Sequence, residues 1–220
     1  MSDSDLDQDL TALQAAGEDP AARQALLGEL LETHRARLLR MVDLRMDPAL
    51  RARIGASDVL QESWLEVSNR LDKYLENPRM PFYVWIRFIT AQRLLKMHRF
   101  HAGAQKRSVG REVRAAPAAP QATTIALVDR LMGNGMTPSG VMAEDEFRLR
   151  LQQALDEMNP LDREVLVLRH FEEMSNAETA QSLDIAPDAA SKRYIRALER
   201  LAGVLRKAGV DPRASGIFPA

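Results

Sequence analysis

The sequence predicts an all-α fold: two small helical domains joined by a long flexible linker. Three observations carry this. Apolar residues recur at helical spacing through most of the 220 residues, and aromatics are only 5%, which suits helices packed on Leu, Ile, Val and Met. Asp47-Pro48, Asn77-Pro78 and Asn159-Pro160 cut those runs into helix-sized pieces, because proline cannot continue a helix and restricts the residue before it. Residues 101–143 hold five of the eleven Gly and three of the eleven Pro, a composition that reads as a connector rather than a core. The chain therefore divides into an acidic, disordered N-terminus (1–20), a first domain (21–100), a linker (101–143), a second domain (144–208) and a tail (209–220).

In the first domain Leu27, Leu30, Leu31, His34, Leu38, Met41 and Val42 mark a helix over 21–45. The next helix begins at Ser57 or Asp58, where Asp58 and Gln61 resemble a capping box. Leu60, Trp64, Val67, Leu71 and Tyr74 form its apolar stripe, and the opposite face starts with Asp58, Gln61 and Glu62. Pro81 suits the first turn of a third helix. The run PFYVWIRFITAQRLL is apolar almost all round, as in a helix buried on several sides. Trp85, Phe88 and Ile89 are read as core, Phe82 and Tyr83 as more open. The end of this helix turns basic with Arg93, Lys96 and Arg99.

The linker has a basic start, Lys106 to Arg114, and one apolar patch, TIALVDRLM, that can form a turn of helix. In the second domain Phe147, Leu151, Leu155 and Met158 mark one helix, and Leu161 to Phe171 another. The segment 175–205 is the most informative. Ser175 caps a short helix and Glu178 completes a capping box. Ala177, Ala180 and Leu183 face inward, Asp184-Ile185-Ala186 makes a tight connection, and Pro187 and Asp188 open a longer helix. With Lys192 at zero and about 100° per residue, Arg196 lies near 40°, Arg200 near 80° and Arg193 near 100°, with Ala189 in the same arc. Tyr194, Leu198, Leu201 and Leu205 fall on the other side. Small side chains for close approach and long cations for bases and phosphates are what a helix needs to enter a major groove.

Charge supports a polyanion partner despite a net charge of −1. Residues 79–114 carry nine Lys or Arg against Glu112 alone, and 191–207 carry six bases against Glu199 alone. Acids dominate 1–20 and 144–164. Such blocks fit a protein that meets nucleic acid in two places. The absence of Cys excludes disulfides and thiolate chemistry, and four His without an HxxxH pairing offer no metal site. No cofactor, no membrane insertion and no secretory signal in the acidic N-terminus are expected. There is no P-loop, and Asp58 with Glu62 reads as a polar docking face rather than a metal pair. An enzyme is not expected.

These motifs together resemble bacterial sigma factors, specifically the extracytoplasmic-function (ECF) branch of the sigma-70 family. Asp58-Val59-Leu60-Gln61-Glu62 matches the DxxQE start of the polymerase-binding helix of sigma region 2. Phe82, Trp85, Ile86, Ile89 and Arg99 match its aromatic-rich run. Leu161 to Leu166, Ser175 to Leu183, and Ser191-Lys192-Arg193 with Arg196-Ala197 match successive motifs of region 4. Gln92 stands where the family has Asn, Lys96 where it has Asp, and Thr179 where it has Ile.

The resemblance implies a cytoplasmic transcription initiation factor. Its partners would be core RNA polymerase, through the β′ clamp helices and β flap, promoter DNA, and an anti-sigma factor of the kind that often holds family members. Asp58, Gln61 and Glu62 would bind polymerase. Arg79, Phe82, Tyr83, Gln92, Arg93, Lys96 and Arg99 would meet the −10 element, with residues 77–80 as the loop that captures a flipped base. Ala189, Lys192, Arg193, Arg196 and Arg200 would read the −35 element. The competing reading is a free-standing helix-turn-helix regulator, which would bind duplex tightly without polymerase.

Overall fold

The computed structural model describes residues 5–17, 19–108, 124, 127–129, 131–132, 144–207 and 209–211, and helix is the only regular structure among them. Two compact units emerge, 1–118 and 119–220, with the four residues 181–184 grouping with the first. Residues 109–123 of the expected linker and 212–220 of the expected tail lie outside the described residues.

The first unit contains α1 (Asp5–Ala15), α2 (Pro20–Arg45), the one-turn α3 (Pro48–Arg51), α4 (Ala56–Glu76) and α5 (Phe82–Ser108). α4 packs on both α2 and α5, and α1 lies against all three. The core is built from Leu27, Leu38 and Met41 of α2, Leu60 and Val67 of α4, and Phe82 and Ile86 of α5, none more than 2% exposed. Each such side chain contributes roughly 1.5–3 kcal/mol on burial.

α1 corrects the expectation of disorder near the N-terminus. Its Leu13 is fully buried. Asp9 pairs with Nε2 of the buried His34 at 2.7 Å, and the His34 ring lies 5.1 Å from that of Tyr83. Docking onto α2 and α5, which a local reading of acidic residues does not reveal, orders this segment.

Three Asx-Pro pairs, Asp19-Pro20, Asp47-Pro48 and Asn159-Pro160, also start helices. Asp19 accepts from Ala21 N–H at 2.9 Å, Asp47 from Leu50 N–H at 2.7 Å and Asn159 from Leu161 N–H at 2.9 Å. Each caps the helix that follows, with proline at its first position, where the missing N–H costs nothing. α4 begins two residues before Asp58. Gly55 is its N-cap and Asp58, at the third helical position, accepts from Gly55 N–H at 2.8 Å.

The second unit contains α6 (Glu144–Asp156), α7 (Pro160–Leu166) running into a wide π turn (Val167–Phe171), α8 (Asn176–Ser182) and α9 (Pro187–Lys207). α9 packs on α6 and α7. Part of the expected linker belongs to folded units. α5 runs on to Ser108, and Thr124, Leu127, Val128, Leu131 and Met132 are buried in the second unit. Arg163 staples this patch: its guanidinium donates to Thr124 Oγ1 at 3.1 Å and to the Leu155 carbonyl at 3.1 Å, and pairs with Asp156.

The helix-turn-helix forms as the sequence predicts. Ser175 Oγ accepts from Glu178 N–H at 3.1 Å, while the Glu178 carboxylate accepts from Ser175 N–H at 2.6 Å. Two of the donors left over at the start of α8 are thereby satisfied. The turn to α9 passes through Asp184 at φ 53°, a left-handed conformation that Asp tolerates better than most residues. Ile185 N–H donates back to Ala180 O at 2.9 Å. Asn176 Nδ2 donates to Pro187 O at 2.9 Å, tying the starts of the two helices together.

Candidate nucleic-acid interface

In the first unit, the outward face of α4 carries Asp58 and Gln61 exposed and Glu62 half-buried. Leu65 lies one turn further along this face and is 68% exposed. Sequence periodicity alone gives no reason to single it out. One Asp58 oxygen is committed to the α4 cap. Glu62 pairs with Arg93 of α5, whose Nε lies 2.6 Å from Oε2. Two residues assigned from sequence to different partners, polymerase and DNA, are thus bonded to each other.

α5 distributes its aromatics differently from the sequence reading. Phe82 and Tyr83, expected open to DNA, are 0% and 1% exposed. Phe82 packs between Tyr74 and Trp85, and the Arg37 guanidinium lies 3.6 Å over the Tyr83 ring. Phe88, expected in the core with Trp85 and Ile89, is 48% exposed, whereas those two are buried. Phe88, Gln92 and Arg99 follow one another along the outward side of α5, with Lys96 beside them. This combination offers an aromatic face for stacking, an amide and two cations. Arg79 is exposed in the turn before α5. That turn is anchored: Tyr74 stacks on Trp85 at 4.2 Å, and its hydroxyl donates to the Met80 carbonyl at 2.8 Å.

The buried His98 of α5 joins the start of α3, accepting from Asp47 N–H through Nε2 at 3.3 Å. Burial holds its pKa below the ordinary 6.5, against the opposing pull of the Asp47 carboxylate, with His101 pushing further down. Imidazole here is a neutral acceptor that joins two elements.

In the second unit α9 buries Ala190, Ala197, Leu198, Leu201, Ala202 and Leu205. Ser191, Lys192, Ile195, Arg196 and Arg200 are exposed, and Ala189 and Arg193 half-buried. Tyr194 is held from the inner side by Arg169, whose guanidinium lies 5.3 Å from its ring. Burial raises the Tyr194 pKa above its usual value, partly offset by Arg169, so the phenol stays neutral.

The basic arc is not free of partners. Arg193 Nη1 lies 2.6 Å from Asp162 Oδ1, Arg196 Nη1 3.4 Å from Asp162 Oδ2, and Arg200 Nη2 2.8 Å from Glu157 Oε2. The centre of the solvent-facing arc is therefore rotated away from Arg193, toward Lys192 and Ile195. Ile195, 55% exposed, is a residue the charge-based reading missed. An exposed β-branched residue one turn from Ser191 on this face was the available signal.

Among the described residues no cluster of three or more His, Asp or Glu could hold a metal ion, and no helix is long and apolar enough to cross a membrane.

Comparisons with known proteins agree with this arrangement. A family model described as "Sigma-70, region 4" matches residues 148–201, from α6 through most of α9. The ECF RNA polymerase sigma factor SigD of Mycobacterium tuberculosis is 29% identical over 192 residues, covering 87% of this chain and 82% of its own. The RNA polymerase sigma-E factor of Streptomyces antibioticus is 39% identical over 67 residues, covering 30% of this chain and 37% of its own. CnrH, solved in complex with the cytosolic domain of CnrY, superposes with a TM-score of 0.51 at 21% identity, covering 92% of this chain and 98% of its own, a likeness of fold. The region 4 match, the ECF sigma factors similar along most of the chain and a helix-turn-helix presenting cations outward together support an extracytoplasmic-function sigma factor of the sigma-70 family, one that directs RNA polymerase to promoters.

Proposed function

We propose that the two units of this sigma factor divide the work of promoter recognition as follows. The α4 face of Asp58, Gln61 and Glu62, extended by Leu65, docks on the β′ clamp helices of core polymerase. The α5 stripe of Phe88, Gln92, Lys96 and Arg99 meets the opened −10 element, with Arg79 and the turn 77–80 receiving a flipped base. Unstacking that base costs a few kcal/mol, which aromatic stacking and phosphate contacts offset. α9 enters the −35 major groove, with Lys192, Ile195 and Arg196 toward the bases and Arg200 toward phosphate, and Ala189 allowing close approach. The second unit also touches the β flap. The factor works in the cytoplasm, where the polymerase is, and an anti-sigma protein holds it in check, as the binding of CnrH to the cytosolic domain of CnrY suggests by likeness.

The observation that carries this reading is the capped helix-turn-helix whose last helix buries small and aliphatic residues on one side and sets Lys192, Ile195 and Arg196 in solvent on the other. The test is reconstitution with core enzyme from the same organism. Run-off transcripts from a cognate promoter are expected only when the chain is present. Tight duplex binding by the chain alone, with no transcript from the reconstituted enzyme, would favour the free-standing regulator instead.

A further inference from the structure

Asp162 stands in the first turn of α7 and is 4% exposed, an uncommon place for a carboxylate. Arg163, its neighbour in sequence, is engaged with Thr124, the Leu155 carbonyl and Asp156. The cations that meet Asp162 come instead from α9. One oxygen lies 2.6 Å from Arg193, and the other 3.4 Å from Arg196. The Arg193 side chain is 28% exposed and that of Arg196 62%. One guanidinium is therefore pinned at the edge of the helix packing, and the other is touched from behind while most of it faces solvent.

We propose that Asp162 is a positioning residue for promoter reading: its single buried carboxylate aims Arg193 and Arg196 and offsets the charge of one of them. This rests on α9 being the −35 reader. Two arginines one turn apart on an open face would attract any phosphate backbone, and that attraction carries no sequence information. A shared anion changes both terms. It lowers the net charge the pair offers to an arbitrary duplex. It also restricts the rotamers of two long side chains, so the geometry needed to meet a base edge is formed before DNA arrives. Burial of the carboxylate keeps water from competing with the arginines, so the restraint persists when the outer face is wet.

The experiment compares wild type with Asp162→Asn, which keeps the shape and removes the charge. Polymerase holoenzyme is reconstituted with each chain. Binding is measured across a salt series to a duplex carrying the −35 element of a promoter mapped with wild type, and to a scrambled duplex. Asp162→Asn is expected to lower the ratio of cognate to scrambled affinity about tenfold. Scrambled-duplex affinity should hold or rise, and its log–log salt slope should steepen by about one unit as a cation is freed. Asp162→Glu should recover part of the ratio. Arg193→Lys keeps the charge, loses the fork and leaves the Asp162 carboxylate itself in place. It should lower the ratio as well, which guards against a variant that fails to fold. A parallel fall in both affinities with a lowered melting temperature would mark Asp162 as merely structural and overturn the proposal, as would an unchanged ratio in both variants. A wild-type holoenzyme that does not distinguish the two duplexes would overturn the reading of α9 itself.

Discussion

Glu62→Gln separates two jobs that the first unit gives to one ion pair. The carboxylate binds Arg93 through Nε at 2.6 Å, and the side chains are 43% and 33% exposed. A pair this accessible is screened, so its loss costs about 0.5 kcal/mol or less of stability. The functional consequence is larger. Arg93 sits beside the stripe of Gln92 and Lys96, and once released it adds one cation to a surface proposed to track single-stranded DNA. For a single strand each cation contributes roughly 0.7 to the log–log salt slope. Fluorescence anisotropy of the full chain on a labelled non-template oligonucleotide, from 50 to 300 mM salt, should therefore show the slope steepened by about that amount. Affinity at the lowest salt should rise several-fold, while affinity for core polymerase falls. The same logic describes the wild type: a clamp-helix cation that takes Glu62 would free Arg93 for phosphate, so docking on polymerase would strengthen the grip on DNA. An unchanged slope in Glu62→Gln, with polymerase binding reduced, would refute the exchange.

The two phenylalanines of α5 should behave in opposite ways. Phe82→Ala is expected to destabilise the first unit by about 3–5 kcal/mol in denaturant melts. Phe88→Ala should leave stability within about 0.5 kcal/mol and weaken single-strand binding by ~1–3 kcal/mol, the worth of a lost stack. Ser175→Ala removes half of the α8 capping box and should cost about 1 kcal/mol, seen as a lowered melting temperature with −35 duplex binding reduced in step. Acid should loosen the α3–α5 junction. The neutral form of His98 is favoured by the fold, so the unfolded chain takes up a proton more readily. That stability is complete above pH 6.5 and is lost as pH falls below it. Melting temperature between pH 7.5 and 5.5 should fall more for wild type than for His98→Gln.

How much of this was legible in the sequence depended on whether the signal was local. The α4 stripe, the Ser175–Glu178 box and the buried side of α9 follow from spacing within one helix, and the structure reproduces them, with Trp64 and Tyr194 only half-buried. The faces of α5 did not follow, because a helix that is apolar nearly all round has no preferred side until its neighbours are known. Phe82 and Phe88 exchanged places for that reason. The pairings of Glu62 with Arg93 and of Asp162 with Arg193 each join residues 31 positions apart. No helical period spans that separation. The expectation of disorder before α2 failed in the same way, since Asp9 and Leu13 gain their order from α2, α4 and α5.

The tether from Tyr74 to the Met80 carbonyl bears on how strand opening would begin. A turn of four residues left slack would surrender roughly 1–2 kcal/mol of backbone entropy for each residue that stiffened around an incoming nucleotide. With its far end already clasped, and the clasping ring wedged flat against Trp85, much of that loss has been met during folding. On the proposed reading, the docking edge would be a rigid template onto which the separated strand settles, with the flexibility needed for the event left to the nucleic acid.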